Sequence, residues 1–167
     1  ESADDAIEFF GGTVNVTNLL AVNPDDDMFD FTQGYCGTLK NCYGVWESDY
    51  TSTEADPRGI EADGNMDGLY PDHLRQSDFK VENMTIVNNA ANTADNVDRM
   101  QDVIKIRRGA KATITNALVK GTGGAIDLVD MKDSKGAGNI ESSINITSTL
   151  SLTGLKQNGE LLSLIHI

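Results

Sequence analysis

The 167-residue sequence predicts an all-β chain wound as a parallel β-solenoid of about five coils, and three observations predict it. A strand ending in Asn recurs along the chain, the intervals between equivalent residues fit one solenoid turn, and apolar residues alternate with period two. The recurring segments are TVNVTNLLAV (13–22), TLKNCYGV (38–45), FKVENMTIV (79–87) and ATITNALV (112–119). They place Asn18, Asn41, Asn83 and Asn116 in equivalent positions, and a fifth copy, INITSTLSL (144–152), carries Ser148 there. Upstream of each lies a shorter strand: AIEFF (6–10), MFDFT (28–32), GIEAD (59–63), VIKI (103–106) and AIDLV (125–129).

The intervals set the coil. Ile7 to Phe29 is 22 residues and Ile104 to Ile126 is again 22, close to one turn with three strands. The longer steps, 31 from Phe29 to Ile60 and 44 from Ile60 to Ile104, are explained by loops inserted between strands. Alternation turns Ile7, Phe9, Val14 and Val16 inward and leaves Glu8, Asn15 and Thr17 outside. Asn suits the sharp bend because it tolerates the left-handed conformation, and its amide can bond to the Asn of the next coil. A solenoid needs only the inward half of each strand to be apolar, so 39% hydrophobic residues suffice.

The charge is unbalanced: 13 Lys and Arg face 26 Asp and Glu, a net −13. Nucleic-acid binding is excluded as a generic role, since there is no basic stripe to release counterions from phosphate. No apolar run approaches the roughly 20 residues of a membrane-spanning helix. Residues 1–161 are expected to form a single β-helix domain that is part of something longer. Residues 162–167, LSLIHI, resemble translated adapter sequence and are set aside with His166 as a non-native tail.

The stretch DDAIEFFGGTVNVTNLLAVNPDDDMFDFTQGYCG (Asp4 to Gly37), followed by RGIEADGN (Arg58 to Asn65), resembles a family of secreted bacterial β-helix repeat proteins, surface lipoproteins of the Bacteroidota type. The resemblance spans roughly residues 3 to 130. It implies a right-handed parallel β-helix and an extracellular, outer-membrane or cell-surface location, and it brings no catalytic residues with it.

The acids cluster. Asp25, Asp26, Asp27 and Asp30 surround the start of the second coil, with Asp4 and Asp5 in the matching place of the first. Stacking brings the two groups to about 4.8 Å, where carboxylates repel unless solvent or a cation intervenes, and calcium is the natural counter-ion outside the cell. DGNMDG (63–68) matches the first half of a calcium loop, with Asp63, Asn65 and Asp67 as candidate ligands, but Leu74 stands where the loop needs its bidentate Glu. A plain Asx-rich turn fits the same residues.

Two functional classes stay open. One is a binding or structural module for polysaccharide or cell-surface glycan, with Trp46, Tyr50 and Tyr70 in the long insertions as candidate sugar-stacking residues; here Trp46 can equally pack its loop onto the coils. The other is a polysaccharide-degrading enzyme of lyase or glycosidase type, using Asp27, Asp30, Glu61, Asp63 and Arg107. An enzyme should gather at least two of these five on one face, whereas a scaffold should spread them as solvated ladders. Arg107 and Arg108 also fit turn residues paired with acids. His73, alone in a loop, supports no nucleophilic triad. Cys36 and Cys42 can form a disulfide outside the cell or remain two reduced thiols.

Overall fold

The computed structural model describes residues 2–65, 75–90, 100–121, 123, 127–136, 140–151, 156–157 and 160–161. Short strands β1 (Glu8–Phe10), β3 (Phe29–Thr32), β5 (Ile60–Asp63), β7 (Asp102–Arg107) and β9 (Asp127–Asp130) alternate along the chain with longer strands. The longer ones are β2 (Val16–Val22), β4 (Thr38–Trp46), β6 (Asp78–Asn88), β8 (Lys111–Lys120) and β10 (Ser143–Thr147). Short strands stack on short and long on long, every such pair parallel, which makes a right-handed parallel β-helix. β11 (Leu150–Ser151) extends the long-strand sheet against β8, while β12 (Lys156–Gln157) and β13 (Glu160–Leu161) form an antiparallel pair beyond β9.

Each long strand turns a corner at its Asn. Asn18, Asn41, Asn83 and Asn116 have φ of 62°, 56°, 58° and 57°, and Ser148 follows at 53°. Pairing is interrupted at the Asn and resumes one residue later, as in Thr17 with Lys40 and then Leu19 with Cys42. The amides form one stripe: Asn41 Nδ2 donates to Asn18 Oδ1 (3.1 Å), Asn83 Nδ2 to Asn41 Oδ1 (3.0 Å) and Asn116 Nδ2 to Asn83 Oδ1 (2.8 Å). One residue type thus supplies both the left-handed backbone and the lateral bond.

The core runs along the axis. Inward rows such as Phe29, Ile60, Ile104 and Val129 stack in register. Phe31 lies against Phe9 on one side (5.4 Å, 7°) and Phe79 on the other (4.0 Å, 16°), with Tyr35 tilted against Phe9 and stacked on Phe31. Tyr35 is buried, and its hydroxyl donates to Val14 O at 2.7 Å. Gly37 makes room for that bond, since a Cβ there would stand 2.1 Å from Val14 O and 2.2 Å from Tyr35 Oη.

One expected alignment is corrected. Ile104 pairs with Val129, not with Ile126, so the last step is three residues longer than the 22 read from the sequence. This register sets Lys105 beside Asp130 and Asp102 beside Asp127, and it closes a Lys105–Asp130 ion pair of 2.5 Å between neighbouring strands.

The Asn stripe can be tested by separating its two tasks. Asn83→Ala should lose both amide bonds and place a Cβ residue at positive φ, costing about 2 kcal/mol, or a fall of about 4–8 °C in melting midpoint. Asn83→Gly keeps the backbone freedom and should lose about half as much. Equal midpoints for the two variants, followed by circular dichroism, would contradict this division.

Candidate functional site

The short-strand sheet turns rows of charge outward. In register, Glu8 stands beside Asp30, Asp30 beside Glu61, Glu61 beside Lys105 and Lys105 beside Asp130. Three residues upstream in each strand lie Asp5, Asp27, Arg58, Asp102 and Asp127, and two residues downstream Asp63 pairs with Arg107. Alternation explains why Glu8, Asp30, Glu61, Lys105 and Asp130, with Asp63 and Arg107 two residues on, share a face opposite the Phe and Ile rows, and Arg58, at the start of its strand, reaches the same face through its bonds to Glu61 and Asp102. In-register stacking explains why they touch.

All five residues read from the sequence as possible catalytic groups therefore converge. Carboxylate oxygens of Asp27, Asp30 and Glu61 lie within 4.8 Å of one another. Arg107 bonds Glu61 through one guanidinium nitrogen and Asp63 through two, at 2.9 and 3.1 Å. Arg108 adds a contact to Asp63 at 3.2 Å. Arg58 bonds the other oxygen of Glu61 and reaches Asp56 (2.9 Å) and Asp102 (3.4 Å). Arg108 is the expected turn residue paired with acids, at φ 54° and bonded to Asp63 and Asp133, whereas Arg107 ends β7. The acids form no solvated ladder, since Asp27, Glu61 and Asp63 are 2%, 7% and 4% exposed.

Positive charge is distributed unevenly over this face. The third and fourth coils carry Arg58, Lys105, Arg107 and Arg108, each in an ion pair with a ladder acid. Among the described residues, Asp5, Asp26, Asp27 and Asp30 form no ion pair. Burial, reinforced by Glu61, Asp5 and other acids, pushes Asp30 up to about 9. Burial and the Asp5 charge push Asp26 up to about 7, and burial brings Asp5 to about 6. Asp27 is raised well above the usual carboxylate range by burial, Glu61 and Asp26, against the pull of Arg58.

The calcium-loop reading of DGNMDG is corrected at its first ligand. Asp63 ends β5 with its carboxylate turned to Arg107 and Arg108, so it is committed to the sheet and unavailable to the loop. Asn65 is buried and donates to Gln76 Oε1 at 3.1 Å. Asp67, Tyr70 and His73 lie outside the described residues.

The stacking reading is also corrected. Trp46 is fully buried and donates its indole N–H to Pro24 O at 3.0 Å, so no sugar can reach its face. Tyr50 lies against Trp46 (5.7 Å) and donates to Asp25 Oδ1 at 3.2 Å. Asp25 also accepts from Thr53 and, through its carbonyl, from Ser52, which pins the insertion after β4 onto the second coil. Packing of the loop is what these aromatics do.

Cys36 and Cys42 are free thiols, the second of the two alternatives the sequence leaves open. Cys42 is in the inward row between Leu19 and Met84, where burial pushes its thiol up to about 11. Cys36 lies ahead of β4, 3.4 Å from Gly34 O.

Cys36 borders a feature the sequence did not announce. An open cleft of about 390 Å³ is lined by Cys36, Arg75, Gln76, Asp78, Lys111 and Ile140. Arg75, Asp78, Lys111 and Ile140 are exposed, in contrast to the buried ladder, and Asp78 stands in register with Lys111. Arg75 and Lys111 are far apart in sequence, so only the stacking register could have joined them. The same holds for Arg58, which becomes a ladder residue once β5 is aligned with β3.

The unpaired acids give the face a pH dependence with a definite sign. A carboxyl held neutral in the folded chain keeps a proton that the unfolded chain releases above pH of about 4, so its stabilisation is full below that value and is lost as pH rises towards 7 to 9. Asp25 and Asp130 lie below their usual value; burial opposes this, but Thr53 and Lys105 respectively outweigh it, so their contribution is lost only in stronger acid. In EDTA the melting midpoint should therefore rise by about 5 °C or more between pH 9 and pH 5. A midpoint that is flat or falls over that range would contradict the burial of unpaired carboxyls.

Comparison with known proteins agrees with the architecture. No curated protein and no solved structure matches the chain. A family described as pectate-lyase-like beta helix domain matches residues 1–161, and the chain belongs to that family.

Proposed function

We propose that this β-helix module is a bacterial extracellular or cell-surface binding domain for anionic polysaccharide, and that it holds its ligand in the Arg75–Lys111 cleft. The observation that carries this reading is the contrast in access. The gathered carboxylates are nearly closed to solvent, while the cleft presents the exposed cations Arg75 and Lys111, one exposed acid, Asp78, beside Lys111, a half-buried amide, Gln76, and the apolar Ile140. Arg and Lys recognise a sugar carboxylate or sulfate by charge-assisted hydrogen bonds, Gln76 suits hydroxyl groups, and Ile140 offers an apolar contact. Family membership favours a polysaccharide-related role. An extracellular site accords with the family resemblance, and among the described residues no helix is long and apolar enough to cross a membrane.

Polysaccharide lysis is the second reading, favoured by the convergence of Asp27, Asp30, Glu61, Asp63 and Arg107 on one face. Two features weigh against it. Burial opposes the charge on Arg107, but its bonds to Asp63 and Glu61 outweigh burial and raise it above the ordinary guanidinium value, so it holds its proton and is a poor base. A polymer also cannot reach carboxylates at 2–9% exposure without displacing their partners.

Calorimetric titration separates the two. Oligogalacturonate should bind and a neutral cello-oligosaccharide should not, and Arg75→Ala or Lys111→Ala should weaken binding about 10-fold each. Equal affinity for both sugars, or unchanged affinity in both variants, would overturn the cleft assignment. Release of unsaturated sugars would favour the lyase.

A further inference from the structure

The outer faces of the two sheets are built differently. On the short-strand sheet the outward charges are buried and paired across coils, as in Lys105 with Asp130 and Arg107 with Asp63. On the long-strand sheet, ahead of the Asn corner, the outward side chains reach solvent. The first outward row past the cleft is Thr38, Lys80, Thr113 and Asn145, set in register by the stacking of β4, β6, β8 and β10. Lys80 and Asn145 are exposed, and Thr38 and Thr113 are half-buried. In the next row Lys40 is matched by Glu82 at 3.2 Å.

Lys80 is the unmatched member of this face. Acids outnumber bases 26 to 13 in the chain, yet neither Lys80 nor Lys111 has an acid partner among the described residues. The two belong to neighbouring strands and are offset by two residues, since Lys80 pairs with Thr113 and Lys111 with Asp78. Strand rise and strand spacing put their backbones about 8 Å apart. Asp78 stands two residues before Lys80 on the same side of β6 and is exposed, with no ion pair to either lysine. It repels an anion placed between them, so the two lysines suit two separate anionic groups with hydroxyls in the interval. Thr38 and Thr113, one coil to either side of Lys80, add hydroxyl donors and acceptors. The row carries no apolar side chain, which suits a hydroxyl-rich polymer better than a protein surface with its apolar centre.

We infer that Lys80 is a second anion subsite, and that an anionic polysaccharide continues from the Arg75–Lys111 cleft over the outer face of the long-strand sheet along the Thr38–Lys80–Thr113 row. The inference rests on the cleft reading and extends it: the cleft holds one charged sugar, and Lys80 holds another further along the same chain. Affinity then depends on ligand length, because only an oligomer that spans both lysines gains from Lys80.

The test is calorimetric titration of the full chain with trigalacturonate and with octagalacturonate. Lys80→Ala should weaken octamer binding about 5-fold or more while changing the trimer less than about 2-fold. Lys135→Ala removes the same charge at an exposed position away from this face and should change neither. These lysines are exposed, so their replacement leaves the fold intact. Wild-type affinity of Lys80→Ala for the octamer would overturn the inference, as would equal weakening of trimer and octamer, which would place Lys80 within the cleft. Unchanged octamer binding in Arg75→Ala and Lys111→Ala, with loss in Lys80→Ala, would remove the cleft and keep the sheet face. A wild-type chain that binds no octamer would overturn both.

Discussion

Parallel stacking in register puts the same position of successive coils about 4.8 Å apart, and the rest of this structure depends on how each row meets that constraint. Apolar rows meet it by packing: Phe29, Ile60, Ile104 and Val129 form one continuous seam. The Asn row meets it with amides that each donate and accept along the axis. Charged rows have no such automatic solution, because identical charges at that distance repel. They must alternate sign or acquire charge from elsewhere.

From Arg58 onward cations enter the ladder. Glu61 stands between Arg58 and Arg107, and Lys105 between Glu61 and Asp130, so acids and bases close over one another and exclude water. Ion pairs this deep are costly to form and costlier to break by halves, and their main consequence is specificity of register. A slip of one residue in β5 would carry Glu61 away from Arg107 and Arg58 away from Asp102. The second and fifth coils hold two acids, Asp27 with Asp30 and Asp127 with Asp130, where the third and fourth offer Arg58 and Lys105; Asp130 borrows Lys105 from its neighbour, and Asp27 and Asp30 form no ion pair among the described residues. Convergence of acids and bases on one face resembles an active site in composition, yet the burial describes a fastening between coils. The exposed cationic cleft around Arg75 and Lys111 is a separate feature of the same stack.

Much of the fold is legible in the sequence because the solenoid repeats its local signals. Four Asn at equivalent places, and Phe and Ile at steps of 22, 31 and 44, fix all but the last of the short-strand alignments. Ile126 misleads because an apolar residue happens to fall one nominal turn after Ile104, while the pairing that forms uses Val129. The site is legible only as composition. Asp27, Asp30, Glu61, Asp63 and Arg107 can be named from the sequence, but Arg58 and Lys105 acquire meaning only from register, and burial by neighbouring coils cannot be read from a single strand. Trp46 and Tyr50 show the converse error. An aromatic in a long insertion suggests a platform, and here the insertion folds back on Asp25 with the ring inside.

The central claim is that the second coil is short of positive charge on a buried face. Side-chain carboxyl NMR of the metal-free protein tests it most directly, by following the Asp30 resonance across pH. The account predicts a protonated Asp30 at pH 7, with a midpoint near 9. An Asp30 that titrates in the ordinary carboxylate range near pH of about 4 would contradict it.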